Sequence, residues 1–80
     1  MNIEELKKLG IMEYNETKLV KTRIARKLYK KLLAIWDDKM WALGIMDELY
    51  NNDVKIQKMI DIIDNGETDT DELGFLSEEI

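Results

Sequence analysis

The chain has 80 residues, a hydrophobic fraction of 45%, a formal net charge of −5, and no proline, cysteine or histidine. This length and apolar content predict one folded domain over 1–80 rather than a disordered chain. Without cysteine and histidine, a disulfide scaffold, a zinc knuckle and a thiol nucleophile are excluded, and the commonest general base is missing. No apolar run approaches the roughly 20 residues of a membrane span, and the acidic N-terminus does not resemble a signal peptide. A cytoplasmic protein is therefore expected.

The first predicted element is a short helix over residues 3–9. Asn2 and Glu5 have the spacing of a capping box, and Gly10 is typical of a helix end. No strand-period segment, internal repeat or low-complexity tract occurs in the sequence. The pattern predicts an all-α fold, a small bundle of about three to five helices around a long central one.

An apolar stripe at helical spacing predicts that central helix over about 16–51. The stripe also repeats every seventh residue, like a coiled-coil seam interrupted by Lys39. A continuous helix of about 35 residues would be about 52 Å long, which conflicts with the radius of gyration of about 12 Å expected for a compact chain of this size. Two alternatives stay open. The helix breaks near Asp37 or Asp38, or it stays whole and another chain, such as a second copy, covers its stripe.

Two further elements are predicted in the C-terminal part of the chain. The Asn-Asn-Asp sequence at 51–53 is a turn with a cap, and residues 54–63 have apolar side chains at helical spacing. The Asn-Gly pair at 65–66 is typical of a helix end. An acidic linker over 64–72 then leads into a last short helix, with Asp69 as its cap.

Charge is segregated along the sequence. Residues 17–31 contain seven basic residues and no acid, whereas residues 61–80 contain eight acids and no base. Such asymmetry predicts either an interaction surface or a pairing of the two segments, within one molecule or across a dimer. One side of the predicted helix carries Arg23, Arg26, Lys27 and Lys30. This face could follow the phosphates of a nucleic acid.

The acidic segment suggests two further hypotheses. Its carboxylates, among them Asp69, Asp71 and Glu72, could imitate a phosphate backbone and attract a basic protein. Counted from Asp61, the segment also has part of the spacing of a calcium-binding EF-hand loop, but Ile63 occupies a ligand position. A capped helix followed by an acidic loop explains the same spacing, so we expect no metal and no cofactor.

The central region has more apolar residues than one stripe needs. Leu33, Met40, Trp41 and Ile45 lie off the main face, whereas Trp36 belongs to it. Tryptophan is enriched among interface anchors. This region is therefore either the middle of the core or the anchor of an interface. We expect Trp36 in the core and Trp41 as the anchor of a protein contact that also includes Leu33, Met40 and Ile45.

These features predict a small non-enzymatic interaction protein that docks on a partner protein as an inhibitor, adaptor or regulator, or acts through its own dimer. No nucleophile and base occur at a recognisable spacing, and no glycine-rich phosphate loop is present. The small size also suits a phage or mobile-element protein. The alternative is a nucleic-acid-binding regulator that uses the basic face, as a dimer. A third, minor hypothesis is a helix that lies on an anionic membrane. The lack of a strongly polar face beyond residue 31 counts against it.

Overall fold

The computed structural model of the protein describes residues 16–80, and all regular structure in this part of the chain is helical. Its helices are α1 (Arg23–Ile35), α2 (Lys39–Glu48), α3 (Asp53–Asp64) and α4 (Thr70–Glu79). Residues 16–19, before α1, are also helical. Helix α1 packs against α2 and α3, and α2 packs against α4. The predicted all-α bundle is confirmed, while the helix predicted over 3–9 lies outside the described residues.

The predicted central helix over 16–51 is not continuous, and of the two alternatives the break is confirmed. Helix α1 ends at Ile35, and residues 36–38 are not helical. The carboxylate of Asp38 then accepts a hydrogen bond from the Trp41 backbone N–H at 3.1 Å and caps α2. An aspartate N-cap satisfies a backbone donor that would otherwise lack a partner at the helix start.

A second interruption precedes α1. Thr22 has extended backbone dihedral angles, and its hydroxyl accepts a hydrogen bond from the Ala25 backbone N–H at 3.1 Å. The long axis of the molecule is 37 Å, shorter than the roughly 52 Å of an unbroken helix. The stripe is therefore divided among separate segments that fold back on one another.

The residues of the stripe still share one core after the chain folds back. Helix α1 contributes Leu28 and Leu32, and α2 contributes Ala42 and Met46, all of them at most 1% exposed. Helices α3 and α4 complete this core with Ile56, Met59, Ile60 and Leu73. Lys39, the charged residue within the stripe, is exposed at the start of α2.

Helices α1 and α3 run in the same direction. Thr22 and Asp53, at their N-terminal ends, line one small pocket, and near their C-terminal ends Lys31 Nζ lies 2.7 Å from Asp64 Oδ1. Within residues 16–80, this ion pair alone joins the basic segment to the acidic one. Both side chains are partly exposed, so the pair contributes less than about 1 kcal/mol. The two charged segments remain largely separate on the surface.

The acidic linker is shorter than expected. Residues 65–69 separate α3 from α4, whereas the sequence suggested 64–72. Gly66 has a φ of 103°, a left-handed conformation that favours glycine, and it allows the chain to turn where α3 ends.

Replacing Asp38 tests the break in the central helix. We expect Asp38→Ala to lower the free energy of unfolding by about 1 kcal/mol, because the N–H of Trp41 loses its acceptor. Urea denaturation followed by circular dichroism measures the change. Asp37→Ala is the matched control, since Asp37 is exposed and is not the cap. An equal loss in both variants would contradict the assignment of the cap.

Stability should fall at alkaline pH because of Tyr29. Burial, and then the charge of the nearby Glu16 carboxylate, raises the pKa of Tyr29 to about 12 from the ordinary value of 10.0. The unfolded chain therefore loses this proton first, and the stabilisation, complete below about pH 10, is lost as the pH rises towards 12. We expect Tyr29→Phe to flatten this decline in unfolding measurements between these pH values. Tyr50→Phe, at an exposed tyrosine, is the matched control.

Candidate protein-docking groove and basic face

Two tryptophans lie in contact where α1 gives way to α2. Trp36 follows the last residue of α1 with an extended backbone, φ −144° and ψ 113°, and its side chain is 47% exposed. Its ring centroid is 5.5 Å from that of Trp41, with the planes tilted by 53°. The prediction that Trp36 belongs to the core is wrong, because the helical spacing that placed it there ends at Ile35. Trp41 is half-buried and packs against the core.

Trp41 lines a groove of about 280 Å³ between α2 and α4. We call this the tryptophan groove. It is lined by Met40, Trp41, Gly44, Ile45 and Glu48 of α2 and by Gly74, Ser77 and Glu78 of α4. A Cβ atom on Gly44 would have no atom within 4 Å, so space is open above this position. The Ser77 hydroxyl already donates a hydrogen bond to the Gly74 carbonyl at 2.8 Å, whereas Glu48 and Glu78 are exposed carboxylates.

The structure separates the apolar residues that the sequence grouped as a protein contact. Met40 is 40% exposed and lines the tryptophan groove beside Trp41. Ile45 is 3% exposed, so of the two alternatives for this region, core or interface, it belongs to the core. Helix α2 packs between α1 and α4, which buries more than one of its sides. Leu33 is half-buried against the core and does not line the groove.

The acidic residues at the start of α4 have a local explanation. One carboxylate oxygen of Asp69 accepts hydrogen bonds from the backbone N–H groups of Asp71 and Glu72, at 3.0 and 3.1 Å. Asp69 is thus the N-cap of α4, as predicted, and the carboxylates of the first turn lie near the positive end of the helix dipole. Asp69, Asp71 and Glu72 do not line the tryptophan groove.

The partial EF-hand spacing does not form an ion site. Asp61 lies inside α3, where its carboxylate accepts a hydrogen bond from the Gln57 side chain at 2.9 Å. Across residues 16–80, no cluster of three or more acidic, cysteine or histidine side chains is arranged to hold a metal ion.

The four basic residues identified from the sequence do come together. Arg23, Arg26, Lys27 and Lys30 are exposed on α1, and with Ile24 and Gln57 they line an open groove of about 780 Å³. We call this the basic groove. None of the four forms an ion pair with an acidic residue of the described chain.

Sequence reasoning missed part of both surfaces. Glu48 and Glu78 escaped notice as groove residues because the pairing of α2 with α4 brings distant residues together. The glycine in the interior of α2 was a usable signal, since glycine weakens a helix and here no packing contact requires it. Gln57 became part of the basic groove through the parallel packing of α1 and α3.

No known protein family matches the chain, and no curated protein and no solved structure shows significant similarity to it. Among the described helices, none combines the length and apolar character needed to cross a membrane. The cytoplasmic location and the homodimer stay predictions.

Substitution of Gly44 tests whether the tryptophan groove is open at this position. We expect Gly44→Ala to raise the free energy of unfolding by about 1 kcal/mol, because alanine favours the helix and its methyl group meets no neighbour. Gly66→Ala should destabilise instead, since Gly66 has a positive φ. Urea denaturation of both variants gives the comparison. A destabilised Gly44→Ala variant would contradict the open space.

Proposed function

We propose that this chain is a non-enzymatic interaction protein whose tryptophan groove binds a basic, amphipathic helical segment of a partner protein. One observation carries the proposal. Trp36 is about half exposed, although tryptophan is a costly residue to leave in water, and its ring contacts that of Trp41, which lines the groove. Tryptophans in such positions are enriched among the residues that dominate binding energy at protein interfaces.

The shape of the groove favours a helical segment as the occupant. The groove lies between two packed helices, and five of its eight lining residues are apolar or glycine: Met40, Trp41, Gly44, Ile45 and Gly74. An amphipathic helix binds such a groove by inserting apolar side chains spaced at i, i+3, i+4 and i+7. The space above Gly44 would accept one of these side chains.

The charge of the groove favours a basic segment. Glu48 and Glu78 are the ionised side chains in its lining, one on each helix, and both are exposed. Lysine or arginine residues flanking the apolar face of the partner would lie opposite these carboxylates. Charge complementarity of this kind raises the association rate and disfavours acidic competitors. By binding such a segment, the protein would act as an inhibitor, adaptor or regulator of its partner.

Binding of a defined peptide tests the proposal. The probe is a synthetic helical peptide of leucine and lysine, with leucines at i, i+3, i+4 and i+7, titrated by calorimetry and by tryptophan fluorescence. We expect saturable binding with one peptide per protein. Trp36→Ala should weaken it by about ten-fold or more with helicity unchanged, because an aromatic anchor is lost. Absence of saturable binding would overturn the proposal.

A charge-matched pair of double variants locates the site. Glu48→Gln with Glu78→Gln should weaken binding about five-fold, since exposed ion pairs contribute up to about 1 kcal/mol each. Asp47→Asn with Glu79→Gln removes the same net charge from the adjacent positions, which lie outside the groove. That control should change the affinity much less. Equal losses would show that the peptide responds to net charge alone, and the groove would not be its site.

A further inference from the structure

The basic groove is a second surface that the docking of a protein segment does not use. Its four cations are spaced at i, i+3, i+4 and i+7 on α1, so they form one row about 10 Å long. The helix holds them in fixed positions, and its opposite side is anchored by Leu28 and Leu32 in the core. Like charges held this close repel one another unless an anion lies between them. An anionic ligand would therefore be bound by a preformed site.

We infer that the basic groove binds the phosphate backbone of double-stranded nucleic acid, without reading its sequence. A duplex carries about one negative charge per 1.7 Å of its axis, so a row of this length meets several phosphates at once. Gln57 is the one neutral amide in the lining and adds a hydrogen-bonding group beside the cations. The Arg26 guanidinium has one weak hydrogen bond, to the Lys21 carbonyl at 3.5 Å, and so retains donors for phosphate.

The composition of the groove favours a duplex over the other polyanions. Single strands bind chiefly by stacking bases on aromatic side chains, and no aromatic residue lines the groove. A helix that lies on an anionic membrane inserts large apolar side chains, and the exposed large hydrophobic residues of the described chain all lie outside α1. The inference is thus confined to the duplex backbone.

Acidic residues near the basic groove limit its affinity for a duplex. The carboxylate of Asp61 is hydrogen-bonded to Gln57 of the groove, while Asp64 is paired with Lys31. The acids of the C-terminal segment lie mainly on and before α4, which packs against α2. Binding should therefore be weak at physiological salt and strengthen sharply as salt is lowered.

The basic groove and the tryptophan groove lie on different helix pairs. The basic groove belongs to α1 and α3, and the tryptophan groove to α2 and α4. One molecule could hold a duplex and a protein segment together. The nucleic-acid inference does not rest on the proposed docking function, because neither lining shares a residue with the other.

Fluorescence anisotropy with labelled duplexes of random sequence tests the inference, with DNA and RNA as separate arms. We expect binding at low salt to at least one duplex, whatever its sequence. On DNA, the logarithm of the affinity should fall against the logarithm of salt with a slope of about −3.6 if four phosphates are neutralised. No binding at low salt, or a slope near zero, would overturn the inference.

Matched variants assign the binding to the groove. Arg26→Gln with Lys27→Gln should reduce the slope by about 2 on DNA, since two phosphate contacts are lost. Lys55→Gln with Lys58→Gln removes the same charge from α3, outside the groove, and should leave the slope nearly unchanged. Asp61→Asn should strengthen binding more than Asp71→Asn on α4. An equal change of the slope in the Arg26/Lys27 variant and in the Lys55/Lys58 variant would overturn the assignment.

Competing polyanions complete the test. Polyglutamate and vesicles of anionic lipid are titrated against the bound duplex at the same low salt. We expect neither to displace the duplex at an equal concentration of charge. Displacement by polyglutamate would replace the inference with an acidic protein partner, and displacement by vesicles would replace it with a membrane surface.

Discussion

The hydrogen bond from the Trp41 backbone to the Asp38 carboxylate lies at the point on which the rest of the fold depends. It starts α2 in a new direction after three non-helical residues, so that α2 returns to pack against α1. Without this reversal, the apolar stripe would extend along one helix and need another chain to cover it. With it, Leu32 and Met46 lie in the same core. The cap thus sets where α2 begins, and the burial of the shared apolar core holds the two parts of the stripe together.

The same break places Trp36 against Trp41, which lines the tryptophan groove. Trp36 is the first residue released from α1, and its extended backbone turns the indole away from the core towards Trp41. Helix α4 then packs against α2 and places Gly74 and Ser77 opposite Gly44. The resulting groove has open space where most helices would carry a side chain. A ligand whose own side chains fill this open space would fit the groove.

The two helix pairs carry grooves of opposite charge. The four cations of the basic groove lie on α1, whereas the acidic residues of the tryptophan groove lie on α2 and α4. One ion pair, between Lys31 and Asp64, joins the two charged segments in residues 16–80. Because the remaining charges are not neutralised within these residues, each surface keeps its own electrostatic preference despite the overall charge of −5. Ligands of opposite charge can therefore be attracted to different helix pairs of the same molecule.

The sequence by itself determined the helical class, the cap at Asp69, the turn at 51–53 and the basic face of α1, because each depends on local spacing or on hydrogen bonds between near neighbours. It left the continuity of the central helix open, because periodicity favoured one helix and compactness favoured two. Only the tertiary structure decided that Trp36 is exposed, that Ile45 is buried and that Glu48 faces α4. These outcomes depend on which helices pack together, and that choice follows from burying one shared core rather than from any single segment.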